Sequence, residues 1–171
     1  IKVMLAQKVK DIKEGFERVG TPCAIEFKYD GFRLQCHKSK GKITLYTRRL
    51  ENVTPQFPDV VRFLKKYVKA EEFIIDSEAV GYNPKTTQYL PFQFISQRIK
   101  RKYDTEALSK KVPVELNIFD IMYLDGKSMI DQAFEKRRKS LSQIIDPTER
   151  KIVLSRITLT KDPEEATKFY N

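Results

Sequence analysis

The sequence predicts an α+β fold in which antiparallel sheets are flanked by helices. Three strand-like segments follow one another with only short turns between them, at 23–29, 32–38 and 42–47. The turns Asp30-Gly31 and Lys40-Gly41 are too short for the crossovers that parallel strands require, so they favour antiparallel hairpins. An amphipathic helix is predicted next, at 58–69, and further strands and helices alternate after it.

β-branched and aromatic content or period-two alternation marks the strands, which we place at 23–29, 32–38, 42–47, 73–82, 114–124 and 151–157. Helices are predicted at 8–18, 58–69, 92–102, 134–145 and 162–170. The second helix carries its apolar residues on one face and its lysines off that face. Those apolar residues are Val60, Phe63, Leu64, Tyr67 and Val68. This helix should therefore pack on a sheet.

The first predicted hairpin has a polar face. If Asp30-Gly31 is a two-residue turn, Lys28 pairs with Arg33 and Glu26 pairs with Gln35. The other face holds apolar side chains, namely Ile25, Phe27, Leu34 and Cys36. On polarity alone, an ordinary amphipathic hairpin is the preferred interpretation. A lysine beside an arginine is, however, biased towards the neutral amine, which is a nucleophile, and the arginine can hold a phosphate.

Composition bounds the class of protein. The chain has 171 residues, 40% hydrophobic and 11% aromatic, which suits one globular domain or a compact part of a larger protein. No apolar run approaches the roughly 18 residues of a membrane span, so a soluble intracellular protein is expected. Cys23 and Cys36 form no metal or disulfide pattern and are expected to be core thiols. Neither GxGxxG nor a P-loop occurs.

The charge points to a polyanionic partner. The formal net charge is +10, and the basic residues are clustered along the chain. The clusters are Lys38/Lys40/Lys42, Lys65/Lys66/Lys69, Arg98/Lys100/Arg101/Lys102, Lys110/Lys111 and 136–139. Any single cluster is best explained as a solvated helix face, but their sum predicts attraction to nucleic acid.

A resemblance to a known family starts at the predicted hairpin. Lys28-x-Asp30-Gly31-x-Arg33 resembles the lysine motif of covalent nucleotidyltransferases, which include ATP-dependent DNA ligases, RNA ligases and mRNA capping enzymes. Further segments are similar, in order, to archaeal and eukaryotic replicative DNA ligases: Met4-Leu5-Ala6, Glu26-Phe27-Lys28, 46–54, Asp76-Ser77-Glu78, Pro91-Phe92-Gln93, 98–103 and 119–126. The resemblance implies their nucleotidyltransferase fold, which is ATP-grasp-like, in truncated form.

The resemblance also implies roles for individual residues. Lys28 is the expected catalytic nucleophile, which attacks the α-phosphate of ATP and retains AMP. The expected nucleotide-binding residues are Glu26 at the adenine edge, Phe119 stacked on adenine, Arg33 and Arg48 on the ribose and phosphates, and Glu78 on the ribose or on Mg²⁺. Arg49 lies beside Arg48, and only the resemblance selects Arg48. By default Phe119 would be a core aromatic and Glu78 a solvated strand residue.

The ends of the sequence predict a fragment. The chain starts at Ile1 without an initiator Met, and the helix predicted at 162–170 breaks off early. The later Glu-Gly and lysine motifs of the family are missing. The chain is therefore predicted to be the N-terminal and central part of an adenylation domain, residues 1–171, without the DNA-binding and oligonucleotide-binding domains. Such a fragment alone is expected to bind little ATP.

Three functions remain open at this stage. The first is an ATP-dependent DNA ligase, with ATP and Mg²⁺ as cofactors and nicked double-stranded DNA as partner. As a monomer it would contact a sliding clamp through absent regions, in the cytoplasm if archaeal and in the nucleus if eukaryotic. The second is an RNA ligase or capping-type enzyme with the same lysine chemistry. The third is a basic nucleic-acid-binding module without catalysis.

Overall fold

A computed structural model describes residues 1–2, 4, 6–101 and 103–170. The helices are α1 (Ile12–Val19), α2 (Pro58–Tyr67), α3 (Phe92–Lys100), α4 (Thr105–Lys111), α5 (Phe134–Ile144) and α6 (Pro163–Tyr170). The strands are β1 (Cys23–Glu26), β2 (Phe32–Ser39), β3 (Lys42–Tyr46), β4 (Phe73–Gly81), β5 (Val114–Leu124), β6 (Lys127–Ser128), β7 (Ile152–Leu154) and β8 (Ile157–Thr160). A 3₁₀ helix spans Thr54–Gln56. The α+β class with antiparallel sheets is confirmed.

The chain divides into two compact units. The terminal unit comprises Ile1–Lys28 and Ser155–Asn171, and the central unit comprises Tyr29–Leu154. Each unit has its own sheet and its own core.

The central unit is built on a sheet with strand order β3-β2-β4-β5-β6, to which β7 is added in parallel beside β5. The predicted tight turn between β2 and β3 is confirmed, since Ser39 pairs with Lys42. Lys40 and Gly41 both have positive φ, at 49° and 74°, as a two-residue turn between twisted antiparallel strands requires. Strand β2 also pairs with β4, which is distant in sequence.

The predicted hairpin at Asp30-Gly31 is wrong. Strand β1 pairs with β8, where Glu26 lies opposite Ile157. Arg33 of β2 lies opposite Glu78 rather than Lys28. Strand β1 also ends at Glu26 instead of continuing to residue 29. Lys28 is therefore not paired with Arg33 on a neighbouring strand, and no like-charge repulsion from such a pairing favours its neutral amine.

Other boundaries differ for local reasons. Helix α1 starts at residue 12 rather than 8 because Asp11 caps it, its Oδ1 accepting from the Glu14 amide at 2.9 Å. The predicted strand at 151–157 is two strands, β7 and β8. The sequence prediction missed α4, β6 and the 3₁₀ helix. Leu5 of the Met4-Leu5-Ala6 motif, Lys102 of the basic segment and Asn171 lie outside the described residues.

One face of the central sheet packs in the apolar core. Helix α2 packs on it as predicted, with Val60, Leu64 and Tyr67 buried and Lys65 and Lys66 exposed. The sheet residues of this core include Leu34, Cys36, Ile43, Leu45, Phe73, Ile75, Ala79, Leu116, Ile118 and Ile121. Because strand side chains alternate between faces, the intervening residues of β2, β4 and β5 occupy the opposite face.

The terminal unit is smaller. Strands β1 and β8 form a two-stranded antiparallel sheet, and helices α1 and α6 contact each other. Its core consists of Phe16, Cys23 and Ala166, with Ile12 and Ile25 packed against them. No helix among the described residues is long and apolar enough to cross a membrane.

Both cysteines are free and buried, which confirms the prediction of core thiols. Cys36 has no exposed surface, and its Sγ lies 3.5 Å from the Ser77 hydroxyl. Burial raises the pKa of the Cys36 thiol to about 12. The native chain therefore keeps a proton at pH values where an unfolded thiol has lost it.

We expect this retained proton to reduce stability in alkali. As pH rises from about 8.5, the unfolded thiol pKa, towards about 12, the free energy of unfolding should fall. The contribution of Cys36 is at most about 1.4 kcal/mol per pH unit. Urea unfolding between about pH 8 and pH 10 should give a shallower decline for Cys36→Ala than for the unmodified chain. If the free energy of unfolding fell equally for both proteins, the pH dependence could not be due to Cys36.

Candidate functional site

The face of the central sheet opposite the core is polar. Arg33 on β2 lies opposite Glu78 on β4, which in turn lies opposite Asn117 on β5. One pair further along, Asp76 lies opposite Asp120. Paired residues of neighbouring strands share a face, so these side chains form a continuous polar surface.

Arg33 is held at the centre of this surface. Its guanidinium donates to Oδ2 of Asp76 at 2.5 Å, and its Cζ lies 5.3 Å from the centre of the Phe119 ring. Among the described residues its Nε has no hydrogen-bond partner. Burial raises the pKa of the Asp76 carboxyl, and the bond from Arg33 opposes that rise. The arginine is therefore fixed in position by Asp76, while its side chain stays 29% exposed.

Phe119 reaches the same surface through a β-bulge. Asp76 pairs with Asp120 and Ser77 pairs with Ile118, so Phe119 is the extra residue on β5. The bulge is anchored from α5. Arg137 donates to both carboxylate oxygens of Asp120, at 2.7 and 3.0 Å, as a bidentate pair. The half-buried Phe119 ring therefore has a fixed position.

Arg48 lies in the turn that follows β3. Thr47 organises this turn, since its buried hydroxyl accepts from the amides of Arg49 and Glu51 at 3.1 and 3.2 Å. Leu50 has a φ of 63°, which closes the turn. Arg48 and Arg49 are both exposed, so only the family resemblance distinguishes them.

Glu26 and Lys28 belong to the terminal unit. Glu26 ends β1, and the Ser155 hydroxyl donates to its Oε1 at 3.3 Å. Phe27 donates its amide to the Arg156 carbonyl at 3.1 Å. Lys28 follows outside any strand and is exposed, so its amine is accessible.

The next three residues start the central unit and are anchored there. The Tyr29 ring packs edge-on against Tyr89, with centroids 6.2 Å apart. Asp30 accepts through Oδ2 from the Phe92 amide at the start of α3, at 3.2 Å. A Cβ on Gly31 would lie 2.5 Å from the Ala79 carbonyl oxygen. The Asp and Gly of the lysine motif are thus required by packing and capping, rather than by a hairpin turn.

We expect Gly31→Ala to reduce stability. The new methyl group must displace either the Lys28–Gly31 segment or strand β4, because the clash is with backbone. Overpacking of this kind costs about 1–3 kcal/mol. Gly15→Ala is the matched control, since its Cβ would meet nothing closer than 3.8 Å and alanine favours the helix interior by about 0.5–1 kcal/mol. Thermal unfolding of both variants tests this, and equal stability would contradict it.

The sites predicted from sequence therefore divide between the two units. Arg33, Glu78 and Phe119 lie on one face of the central sheet, and Arg48 lies at the end of β3. Glu26 and Lys28 lie at the end of β1. Sequence reasoning missed the residues that hold this surface in place, namely Asp76, Asp120 and Arg137. The alternation in Asp76-Ser77-Glu78 was a usable signal for Asp76, because residues two apart on a strand share a face.

Glu78 is also the predicted metal ligand. The described residues contain no cluster of three or more His, Cys, Asp or Glu that could enclose a metal ion. Asp76 and Asp120 are already paired with arginines. Glu78 alone could not enclose Mg²⁺. A single carboxylate is enough, however, when Mg²⁺ arrives with a nucleotide, because water and phosphate oxygens then supply most of the ligands.

Two solved structures have a fold similar to that of this chain. The ligase domain of LigD from M. tuberculosis matches with a TM-score of 0.59 and 23% identity, covering 85% of this chain and 43% of that one. Mycobacterial DNA ligase D complexed with ATP and MES matches with a TM-score of 0.57 and 22% identity over the same shares. The fold is that of a nucleotidyltransferase domain.

The sequence comparisons identify the family. A family model described as "ATP dependent DNA ligase domain" matches residues 3–171, and the chain belongs to this family. Similar curated proteins include DNA ligases of Nanoarchaeum equitans, 52% identical over 99% of this chain, and of Methanopyrus kandleri, 44% identical over 100%. The chain spans about 30% of the length of these relatives, 30% and 31% respectively.

Proposed function

We propose that this chain is the N-terminal and central part of the adenylation domain of an ATP-dependent DNA ligase. The DNA-binding and oligonucleotide-binding domains would lie outside it. One observation carries the proposal. The exposed Lys28 directly precedes a segment whose Asp30 and Gly31 are anchored by α3 and β4, in a chain that belongs to the DNA ligase family.

The first step is formation of a covalent nucleotide. The unprotonated Lys28 amine attacks the α-phosphorus of ATP, an N–P bond forms, and the P–O bond to pyrophosphate breaks. The proton on nitrogen leaves to solvent or to pyrophosphate. The product is lysyl-AMP, a phosphoramidate, which stores the activation until a nucleic-acid end is present.

The polar face of the central sheet supplies the binding groups in this proposal. Phe119 stacks on adenine, and Arg33 donates to the ribose and phosphates through the exposed part of its guanidinium. Arg48 adds a second guanidinium, and Glu26 contacts the adenine edge. Mg²⁺ bound near Glu78 would neutralise charge on the phosphates.

Two further transfers complete the reaction. The 5′-phosphate of a nick attacks the phosphorus of lysyl-AMP, which frees the Lys28 amine and caps the phosphate with AMP. The 3′-hydroxyl then attacks that phosphate, forms the phosphodiester and releases AMP. Nicked double-stranded DNA is therefore the proposed substrate. The net charge of +10 favours such a partner.

Nucleotide and nick specificity test the proposal against its alternatives. The longest form of the protein that carries this chain is incubated with α-labelled ATP or GTP, and sealing is measured on nicked DNA and nicked RNA duplexes. We expect an acid-stable adduct with ATP only, and sealing of nicked DNA. GTP labelling would favour a capping-type enzyme, and preferential sealing of RNA would favour an RNA ligase. Salt-sensitive DNA binding without any nucleotide-dependent product would favour a non-catalytic module.

A further inference from the structure

A lysine-lined groove lies at the edge of the central sheet, away from the Arg33 surface. We call it the lysine groove and define it by Lys127 of β6 and Lys136 and Lys139 of α5. The cavity has a volume of about 590 Å³. Its other lining residues are Leu124, Asp125, Ser128, Met129, Gln132, Ser140 and Gln143.

The three lysines have no structural task in the described part of the chain. Their ammonium groups take part in no ion pair or hydrogen bond there. The arginines between them on α5 behave differently. Arg137 pairs with Asp120, and Arg138 donates to the backbone carbonyl of Ile118. One helix thus separates two arginines that hold the sheet from two lysines that face the groove.

The acidic residues nearest the groove do not neutralise it. Asp125 lines the groove, but its Oδ1 accepts from the amides of Glu71 and Glu72, at 2.9 and 2.8 Å. Glu72 itself accepts from Ser39 and from Tyr123, at 2.8 and 3.2 Å. Three lysines and one carboxylate, that of Asp125, line the groove in the described part of the chain, so the groove keeps a net positive charge.

The remaining lining suits an extended phosphate chain. Ser128, Gln132 and Gln143 add neutral polar side chains, which can donate to phosphate oxygens. Lysines supply point charges on flexible stems and impose no bidentate geometry. Such a lining favours sequence-independent contacts with a nucleic-acid backbone.

The position of the groove on the sheet limits its distance from the Arg33 surface. Leu124, which lines the groove and pairs with Lys127, is five residues after Phe119 on the same strand. At about 3.3 Å per residue, and because β5 is bulged in this stretch, the two positions are at most roughly 17 Å apart. This is the axial length of at most about five base pairs of duplex.

We propose that the lysine groove binds backbone phosphates of duplex DNA within about five base pairs of the nick. The inference rests on the proposed function in one respect, that the nick is processed at the Arg33 surface. It adds a DNA-binding site that plays no part in the chemistry of lysyl-AMP.

The test is a salt titration combined with flank shortening. Binding of a fluorescent nicked duplex of about 30 base pairs is measured by anisotropy between about 50 and 200 mM salt. The variant carries Lys127→Ala, Lys136→Ala and Lys139→Ala. A charge-matched control carries Lys42→Ala, Lys65→Ala and Lys110→Ala, which are exposed lysines on three other elements.

For the groove variant we expect weaker binding and a log–log salt slope smaller by about two to three, as for the loss of three phosphate contacts. For the unmodified chain, cutting one of the two flanks to about three base pairs should cause a comparable loss. Shortening the same flank should weaken binding of the groove variant no further, because the substitutions have already removed the contact that the flank makes.

Several results would overturn the inference. Equal loss in the charge-matched control would show a general electrostatic field instead of a site. Additive effects of substitution and flank shortening would place the contact elsewhere. Unchanged duplex binding with lost binding of inorganic tripolyphosphate would identify a site for a free anion.

Adduct formation with ATP in the absence of DNA is measured separately on the longest form of the protein that carries this chain. If no adduct forms but the groove effects appear, the proposed function fails and the DNA site stands.

Discussion

Replacing Lys28 by arginine is expected to abolish the covalent AMP adduct. Arginine keeps the positive charge and the length of the side chain, but its guanidinium stays protonated at any practical pH and offers no nucleophilic amine. The loss should therefore be complete rather than partial. Lys28→Ala should behave identically, because nucleophilicity rather than charge is the property removed. Gel detection of labelled AMP on the protein measures both variants.

Lys42→Ala is the matched control for this substitution. Lys42 is also an exposed lysine, at the start of β3, and has no proposed role in the chemistry. Its substitution should leave the adduct unchanged. Labelling of Lys28→Arg at the level of the unmodified protein would refute the assignment of Lys28 as the nucleophile. Loss of labelling in Lys42→Ala as well would indicate that the assay reports on charge.

Replacing Arg98 by methionine is expected to cause the largest loss of stability. The Arg98 side chain has no exposed surface, and it donates to both oxygens of Asp59, at 2.8 and 2.5 Å. It also donates to the carbonyls of Gln56 and Val112 and lies 4.5 Å above the Phe57 ring. Removing it leaves a nearly buried carboxylate unpaired, which costs about 3–5 kcal/mol.

Arg62→Met provides the comparison. Arg62 pairs with Glu106 at 2.6 Å, but both side chains are more than half exposed, at 56% and 59%. Such an exposed pair contributes little to stability, because water and salt screen it. The double variant Asp59→Asn with Arg98→Met should recover part of the loss, because it removes the unpaired charge. Urea unfolding of the three variants measures these differences in stability. Equal losses of stability for Arg98→Met and Arg62→Met would contradict the role of the buried pair.

Local sequence signals predicted much of the fold. The period of the apolar residues located α2, and Pro58 with Asp59 at its start and Lys65 and Lys66 at its end fit a helix of its length. The Lys40-Gly41 turn was predictable because both residues tolerate or favour positive φ and the flanking strands are adjacent in sequence. Each of these features depends on neighbouring residues only.

The pairing of β1 could not be predicted in this way. Its partner is β8, and Cys23 lies opposite Thr160 at the other end of the chain. The Asp30-Gly31 dipeptide matched a hairpin turn locally, but Gly31 is required because the Ala79 carbonyl lies where a Cβ would be. A sequence motif can therefore be recognised correctly while the geometric reason for it is misjudged.

The candidate site was predicted in part. Arg33 and Phe119 were selected by resemblance, and the structure brings their side chains into contact. The partners that fix them were not selected, because Asp76 reaches Arg33 across neighbouring strands and Arg137 reaches Asp120 from a helix. Long-range ion pairs leave no periodic signal in a sequence. The bulge at Phe119 was also hidden, since it depends on the register of β4.

The most direct test of the proposed function is to locate AMP on the protein. The longest form of the protein that carries this chain is incubated with ATP and Mg²⁺, digested with a protease that does not cleave at lysine, and analysed by mass spectrometry. The proposed mechanism predicts the mass of AMP on the peptide that contains Lys28, and release of that mass when nicked DNA is added. AMP on another lysine, or on Lys28 without release by nicked DNA, would contradict it.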